Sequence, residues 1–246
     1  LPSQLKAQYP LSVTLAQQIS NHRQTIQNIL SGQDQRLMVI TGPCSIHDPV
    51  SVLEYADRLQ QLQEQVKDQL ILDGSSDLQL GLEKSRELYI QLIEKGLPIA
   101  SEILSPMATG YFDDLLAWGA IGARTSESQI HREIASHMPY SIGFKNGTDG
   151  SIQIALDAIQ SALHGHQFLG MTKQGLPAIL HSHGNPLPHL ILRGSNHGTN
   201  YDLASIQAMH FKHKHLPALV IDCSHGNSGK DPLQQPNVLK QIIAER

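Results

Sequence analysis

Short continuous apolar runs alternate along the chain with longer stretches whose apolar residues recur at helical spacing. The runs read as buried strands and the stretches as amphipathic helices. Leu15, Ile19, Ile26, Ile29 and Leu30 mark a helical region that stops at Ser31 and Gly32. Residues 36–41 (RLMVIT) predict a buried strand, and Leu53, Ala56, Leu59 and Leu62 the inner face of a helix over 50–67. A very short strand follows at 69–72, then a helix over 78–95 closed by Gly96. Residues 97–104 read as a strand with one buried carboxylate, Glu102, and residues 106–118 as helical. Two further strands, 120–123 and 141–144, flank a polar segment of helical spacing. A helix over 151–163, a hairpin over 167–182 around Gln174 and Gly175, and a strand over 187–193 come next. A helix over 202–214, a strand over 216–222 and a helix over 231–246 complete the pattern.

A strand, a helix and a second strand of these lengths make a right-handed unit with parallel strands. Arg124 and Lys145 then emerge at the same C-terminal sheet edge, where parallel α/β folds hold ligands. Two converging cations predict an anionic substrate, a carboxylate or a phosphate. The other strand ends carry Cys44, Glu102, Arg193 and the pair Asp222 and His225. Reactive groups repeated along one edge of a strand-helix alternation predict a (β/α)8 TIM barrel. Residues 1–35 read as an N-terminal extension for oligomer or regulatory contacts, and 36–246 as the catalytic barrel with the hairpin inserted.

Composition narrows the partners. The 246 residues are 40% hydrophobic and 16% charged, enough to bury a core. A formal net charge of −4 argues against nonspecific nucleic-acid binding. No apolar run approaches the ~18 to 20 residues of a membrane span, and the N-terminal residues lack a signal-peptide pattern. Two cysteines, Cys44 and Cys223, make no disulfide framework and fit a reducing, cytoplasmic setting. Cys44 and His225 are soft and borderline ligands that suit zinc, iron, manganese or cobalt. By spacing alone a buried thiol with a satisfied imidazole is the commoner finding, and a Cys-His nucleophilic pair is a further alternative. Most of the 14 histidines, His164 and His166 among them, read as surface residues.

Five ordered motifs carry a resemblance: GPCSIHDP (42–49), GAIGARTSESQIHRE (119–133), GFKNGTDG (143–150), LILRG (190–194) and IDCSHGNSGK (221–230). Together they resemble the type I, feedback-regulated class of 3-deoxy-D-arabino-heptulosonate 7-phosphate (DAHP) synthase. That family condenses phosphoenolpyruvate with erythrose 4-phosphate and water, releasing phosphate, as the first step of the shikimate pathway to aromatic amino acids. The resemblance implies a divalent metal held by Cys44 and His225. It implies Arg124, Lys145 and Arg193 around the phosphoenolpyruvate carboxylate and phosphate. It also implies Lys145 and Glu102 as catalytic groups, Glu102 positioning the attacking water or the substrate.

Two parts of the family pattern have no counterpart. A Lys-Pro-Arg-Thr motif ends the family's second strand, whereas here residues 69–72 pass directly into DGSSD (73–77). The eighth strand and two carboxylate metal ligands, a Glu and an Asp, are also missing. A barrel lacking two strands leaves open edges, so the natural chain is expected to contain segments absent from this sequence. By the same resemblance an aromatic amino acid, Tyr or Phe, binds among residues 1–12, the segment with Ile134, Ser136, Met138 and Pro139, and the hairpin. A homodimer or homotetramer is expected. The alternatives are a 3-deoxy-D-manno-octulosonate 8-phosphate synthase using arabinose 5-phosphate, or a noncatalytic fragment or regulatory subunit.

Overall fold

The computed structural model describes residues 1–43, 46, 48–63, 78–213 and 218–245. The strand expected at 69–72 and Cys44 lie outside the described residues. The chain is α/β, and its contacts divide it into two compact units.

The first unit comprises Leu1–Gly119, Met138–Ser141 and His166–His181. It opens with helices α1 (Pro2–Gln8) and α2 (Val13–Leu30). The hydroxyl of Ser12 caps α2 by accepting from the Leu15 N–H at 3.2 Å, and Ser31 and left-handed Gly32 end it. Helices α3 (Pro49–Gln63) and α4 (Leu78–Glu94) follow. Strand β1 (Ile99–Glu102) leads through a short turn into α5 (Thr109–Phe112) and strand β2 (Leu116–Ile121), which begins here. Two arginines tie the N-terminal segment down, each through backbone carbonyls. Arg23 donates to the carbonyls of Leu116 (2.8 Å) and Asp113 (2.7 Å) and lies over the Tyr140 ring. Arg86, fully buried, donates to the carbonyls of Tyr9 and Tyr111 and forks onto both Asp114 oxygens. Lys6 pairs with Asp113 and Asp114. Strands β4 (Gln167–Met171) and β5 (Pro177–His181) form the expected antiparallel hairpin, with left-handed Gly175 in its turn. The Ser3 N–H donates to the Lys173 carbonyl at its tip, docking α1 on the hairpin.

The second unit comprises Ala120–His137, Ile142–Gly165 and Ser182–Arg246. It holds helix α6 (Gln129–His137), most of strand β3 (Ser141–Lys145) and helix α7 (Gln153–Leu163). Strand β6 (His189–Leu192), helix α8 (Leu203–Lys212), strand β7 (Leu219–Ile221) and helix α9 (Gln235–Glu245) complete it. The five-stranded sheet has the order β1, β2, β3, β6, β7, and its β3–β6 and β6–β7 pairings are parallel. Register fixes the faces: Lys145 pairs with Ile191, and Leu192 with Ile221. With a period of two, Gly143, Lys145, His189, Ile191, Arg193, Val220 and Asp222 share one face. Ile142, Phe144, Leu190 and Leu192 take the other, and all four are fully buried. Gly143 is required there, because a Cβ would lie 2.5 Å from Ile191 and 2.9 Å from the His189 ring.

Two expected elements change. Residues 36–41 form no strand; a strand needs a hydrogen-bonded neighbour, and no described residue pairs with them. The helix expected over 106–118 stops at Phe112, and Trp118 belongs to β2, which ends at Ile121 rather than running over 120–123. The run LAWGAI is buried throughout, so it carries no helical or strand periodicity that could have placed the boundary.

Candidate active site

Three strand ends of the second unit converge. Lys145 closes β3, and its ammonium lies 3.5 Å from Asp222, the first residue after β7. The same Asp222 oxygen lies 2.8 Å from Nδ1 of His225. A carboxylate only accepts, so Nδ1 carries the proton and Nε2 presents the lone pair. Burial opposes the charge on Asp222. The His225 hydrogen bond, the Lys145 charge and the Ser224 N–H outweigh it and hold the carboxyl below its usual range. His225 adopts φ 51, a left-handed conformation uncommon for a side chain other than glycine. Burial beside Asp222 pushes the Cys223 thiol up to about 11, so it stays protonated at neutral pH. Burial also lowers His189, on the same face, to about 4, which keeps that ring neutral.

Arg193 is 6% exposed, and its Nη1 has no hydrogen-bond partner among the described residues. Buried polar groups are nearly always paired. An orphaned guanidinium nitrogen on the face of Lys145 is therefore a fixed donor for an anion. The buried Ser228 hydroxyl is likewise without a partner.

Arg124 sits exposed in the turn after β2. That turn closes on Gly122, whose carbonyl accepts from the N–H groups of Thr125 and Ser126 and from the Thr125 hydroxyl. The Ser126 hydroxyl, fully buried, donates to the Lys145 carbonyl at 2.8 Å. The TSES segment thus splices the end of β2 to the end of β3. Arg132 adds a hydrogen bond to the Ser126 carbonyl.

Asp222 contacts both Lys145 and His225, and Arg193 lies on the same sheet face as Lys145. Glu102 ends β1 in the first unit and is half-buried rather than buried. Ile134 and Ser136 lie buried on α6, where the Ser136 and Ser182 hydroxyls are 2.6 Å apart. Met138 is buried and Pro139 exposed, both in the first unit. Sequence reasoning passed over Asn146, Asn200 and Asn227, which link the strand ends. Asn146 and Asn227 lie in GFKNGTDG and HGNSG, but no local pattern in those motifs records the contacts that join them.

The model of the DAHP synthetase I family matches residues 13–245. The Tyr-sensitive phospho-2-dehydro-3-deoxyheptonate aldolase of Escherichia coli K12 is 42% identical, covering 99% of this chain and 76% of its own. The phenylalanine-inhibited enzyme of Saccharomyces cerevisiae is 41% identical, covering 98% and 73%. A solved phospho-2-dehydro-3-deoxyheptonate aldolase from Francisella tularensis SCHU S4 superposes with a TM-score of 0.92 at 40% identity, over 99% of this chain and 79% of that one. The Escherichia coli alignment runs over 271 positions, 25 more than this chain has residues, so the relative carries residues within the matched span that have no counterpart here. By family match, identity and coverage, the chain belongs to the DAHP synthetase I family.

Proposed function

We propose that the strand ends of the second unit form the phosphoenolpyruvate half of a DAHP synthase site within a (β/α)8 barrel. The reaction is condensation of phosphoenolpyruvate with erythrose 4-phosphate and water to give DAHP and phosphate. The observation that carries the assignment of residues is Arg193, a buried guanidinium with a nitrogen that has no partner among the described residues, on the sheet face that Lys145 shares. Arg193 and Lys145 bind the phosphate or carboxylate of phosphoenolpyruvate, and exposed Arg124 reaches it from the spliced turn. Their fixed positive charges stabilise negative charge as it develops on the substrate and on departing phosphate. Glu102, from the end of β1, positions the attacking water or the substrate.

His225 fits a metal ligand, since Asp222 fixes its tautomer and leaves Nε2 to coordinate. Cys44, outside the described residues, is the proposed second ligand. Among the described residues no group of three His, Cys, Asp or Glu could hold a metal, so further ligands come from elsewhere. A bound divalent ion supplies Lewis acidity toward the aldehyde of erythrose 4-phosphate. The relatives named as Tyr-sensitive and phenylalanine-inhibited support feedback by one of these amino acids here, with Ile134, Ser136, Met138 and Pro139 as the proposed contacts. They are heptulosonate enzymes, and the octulosonate alternative is not favoured.

The test is phosphoenolpyruvate consumption by the full-length protein with erythrose 4-phosphate, and separately with arabinose 5-phosphate, with and without a chelator. Consumption with the four-carbon sugar alone, lost on chelation and restored by manganese, is expected. Consumption with arabinose 5-phosphate, or with neither sugar, would overturn the assignment.

A further inference from the structure

We infer that Asn146, Asn200 and Asn227 are positioning residues for this reaction, a continuous amide chain that fixes Arg193 and the Asp222–His225 pair relative to Lys145. The inference rests on the substrate-site reading above. Asn146 follows Lys145 directly and is fully buried. Its amide donates to the carbonyls of Gly147 (2.8 Å) and Gly194 (3.0 Å). Its oxygen accepts from the Arg193 backbone N–H (2.9 Å) and from the Asn200 amide (3.2 Å). Both donors and both lone pairs of this side chain are therefore used. Asn200 accepts from the Gly194 N–H at 2.8 Å, and its own backbone N–H donates to Asn227 at 3.0 Å. Asn227 then donates to the carbonyls of Leu192 (3.1 Å) and Asp222 (3.0 Å).

The chain so defined touches the ends of β3, β6 and β7 and nothing more distant. Apart from the links among the three asparagines, each bond is to a backbone group at these strand ends: the carbonyls of Gly147, Leu192 and Asp222, the Arg193 N–H, and both polar groups of Gly194. A saturated buried network has one low-energy arrangement, since a partial one leaves amides unpaired in a low-dielectric interior. Only an asparagine head offers two donors and an acceptor without charge at this short reach. Aspartate at Asn146 would keep the acceptor but set a negative oxygen against the Gly147 and Gly194 carbonyls.

The test compares Asn146→Asp, Asn200→Ala and Asn227→Ala with Arg193→Ala and Lys145→Ala in the full-length enzyme. Readouts are KM for each substrate, kcat, thermal midpoint, and metal affinity by competition with a chromogenic chelator. Asn146→Asp and Asn200→Ala are expected to raise KM for phosphoenolpyruvate about tenfold to a hundredfold, as misplacement by a fraction of an ångström does. KM for erythrose 4-phosphate should change far less. Asn227→Ala is expected to weaken metal binding more than the other two do, without any turnover being measured. A lowered thermal midpoint with unchanged KM and metal affinity well below that midpoint would mean a purely structural role and overturn the inference. Asn200 is half-exposed, so its variant decides the matter if Asn146→Asp does not fold. If Arg193→Ala and Lys145→Ala also leave KM for phosphoenolpyruvate unchanged, the substrate-site reading itself fails. If they raise it and the asparagine variants do not, only the positioning inference fails.

Discussion

Gly194 and Gly226 cross backbone to backbone, and neither has room for a side chain. A Cβ on Gly194 would lie 2.5 Å from the Asn227 nitrogen, and one on Gly226 would lie 2.4 Å from the Ser195 nitrogen. The Gly226 N–H donates to the Arg193 carbonyl across the same crossing, at 3.0 Å. The loops that follow β6 and β7 therefore interlock, and Gly194 of LILRG and Gly226 of SHGNSG are parts of one contact. Gly194 also needs its φ of 68, whereas Gly226 is not in the left-handed region. Crowding of this kind costs about 1–3 kcal/mol, and an L side chain at such a φ roughly another 1–3. Gly194→Ala should accordingly destabilise more than Gly226→Ala. The double variant should lose less than the sum, because both relieve the same crossing. Urea unfolding of the three variants measures this.

Arg193→Met should uncouple stability from activity. One nitrogen of this buried cation has no partner among the described residues, so an apolar side chain of similar length removes an unsatisfied buried donor. We expect a thermal midpoint equal to or above that of the parent, with phosphoenolpyruvate turnover reduced at least a hundredfold, the loss of roughly 3 kcal/mol of charge-assisted binding. A midpoint several degrees lower would mean that Arg193 is a structural cation.

Asp222→Asn removes the fixed acceptor that orients His225. Losing such a partner typically costs about tenfold to a hundredfold in metal affinity. Equilibrium competition against a chromogenic chelator should show that loss, and His225→Ala should show a larger one. Unchanged affinity in both variants would remove this loop from the metal site.

Acid should loosen the N-terminal helices through Asp114. Burial works against its charge, but the Arg86 hydrogen bond and the charges of Arg86 and Lys6 outweigh that, and its pKa lies below the usual carboxylate value. A depressed folded pKa stabilises above the unfolded value, about 3.9, and the contribution is lost as pH falls through the folded value. The gap in unfolding midpoint between the parent and Asp114→Asn should be widest near pH 7. It should narrow below pH 4, and a gap independent of pH would exclude the ion pair as its source.

The parts of the site that were legible in the sequence are those with a local cause. Lys145, Arg193 and Asp222 each follow a short apolar run, and the two-residue period of a strand then sets them on one face. Gly143 and His189 obey the same rule. Where burial is complete the rule has nothing to act on, as in the run from Leu115 to Ile121, where the helix was drawn too long. Residues 36–41 failed for another reason: an apolar run is only half of a strand, and the other half is a neighbour. The asparagine chain was illegible because its meaning lies in contacts between separate loops, such as Asn146 with Arg193 and Asn200 with Asn227, which lie 47 and 27 residues apart. No period or propensity records those. Cys44 and the 69–72 run lie outside the described residues, so those readings rest on motif alone.

Arg23 and Arg86 hold the first unit together by grasping carbonyl oxygens of Leu116, Asp113, Tyr9 and Tyr111. A codon change can erase an arginine, but no codon change can erase a carbonyl. Inheritance therefore weighs unevenly on the two sides of this attachment. As acceptors the four positions place no demand on residue type, provided the backbone keeps its path, while each arginine is answerable for two of them at once. A lineage could rewrite much of this region's surface and keep its N-terminal helices docked, yet lose them through a single base change in either arginine codon.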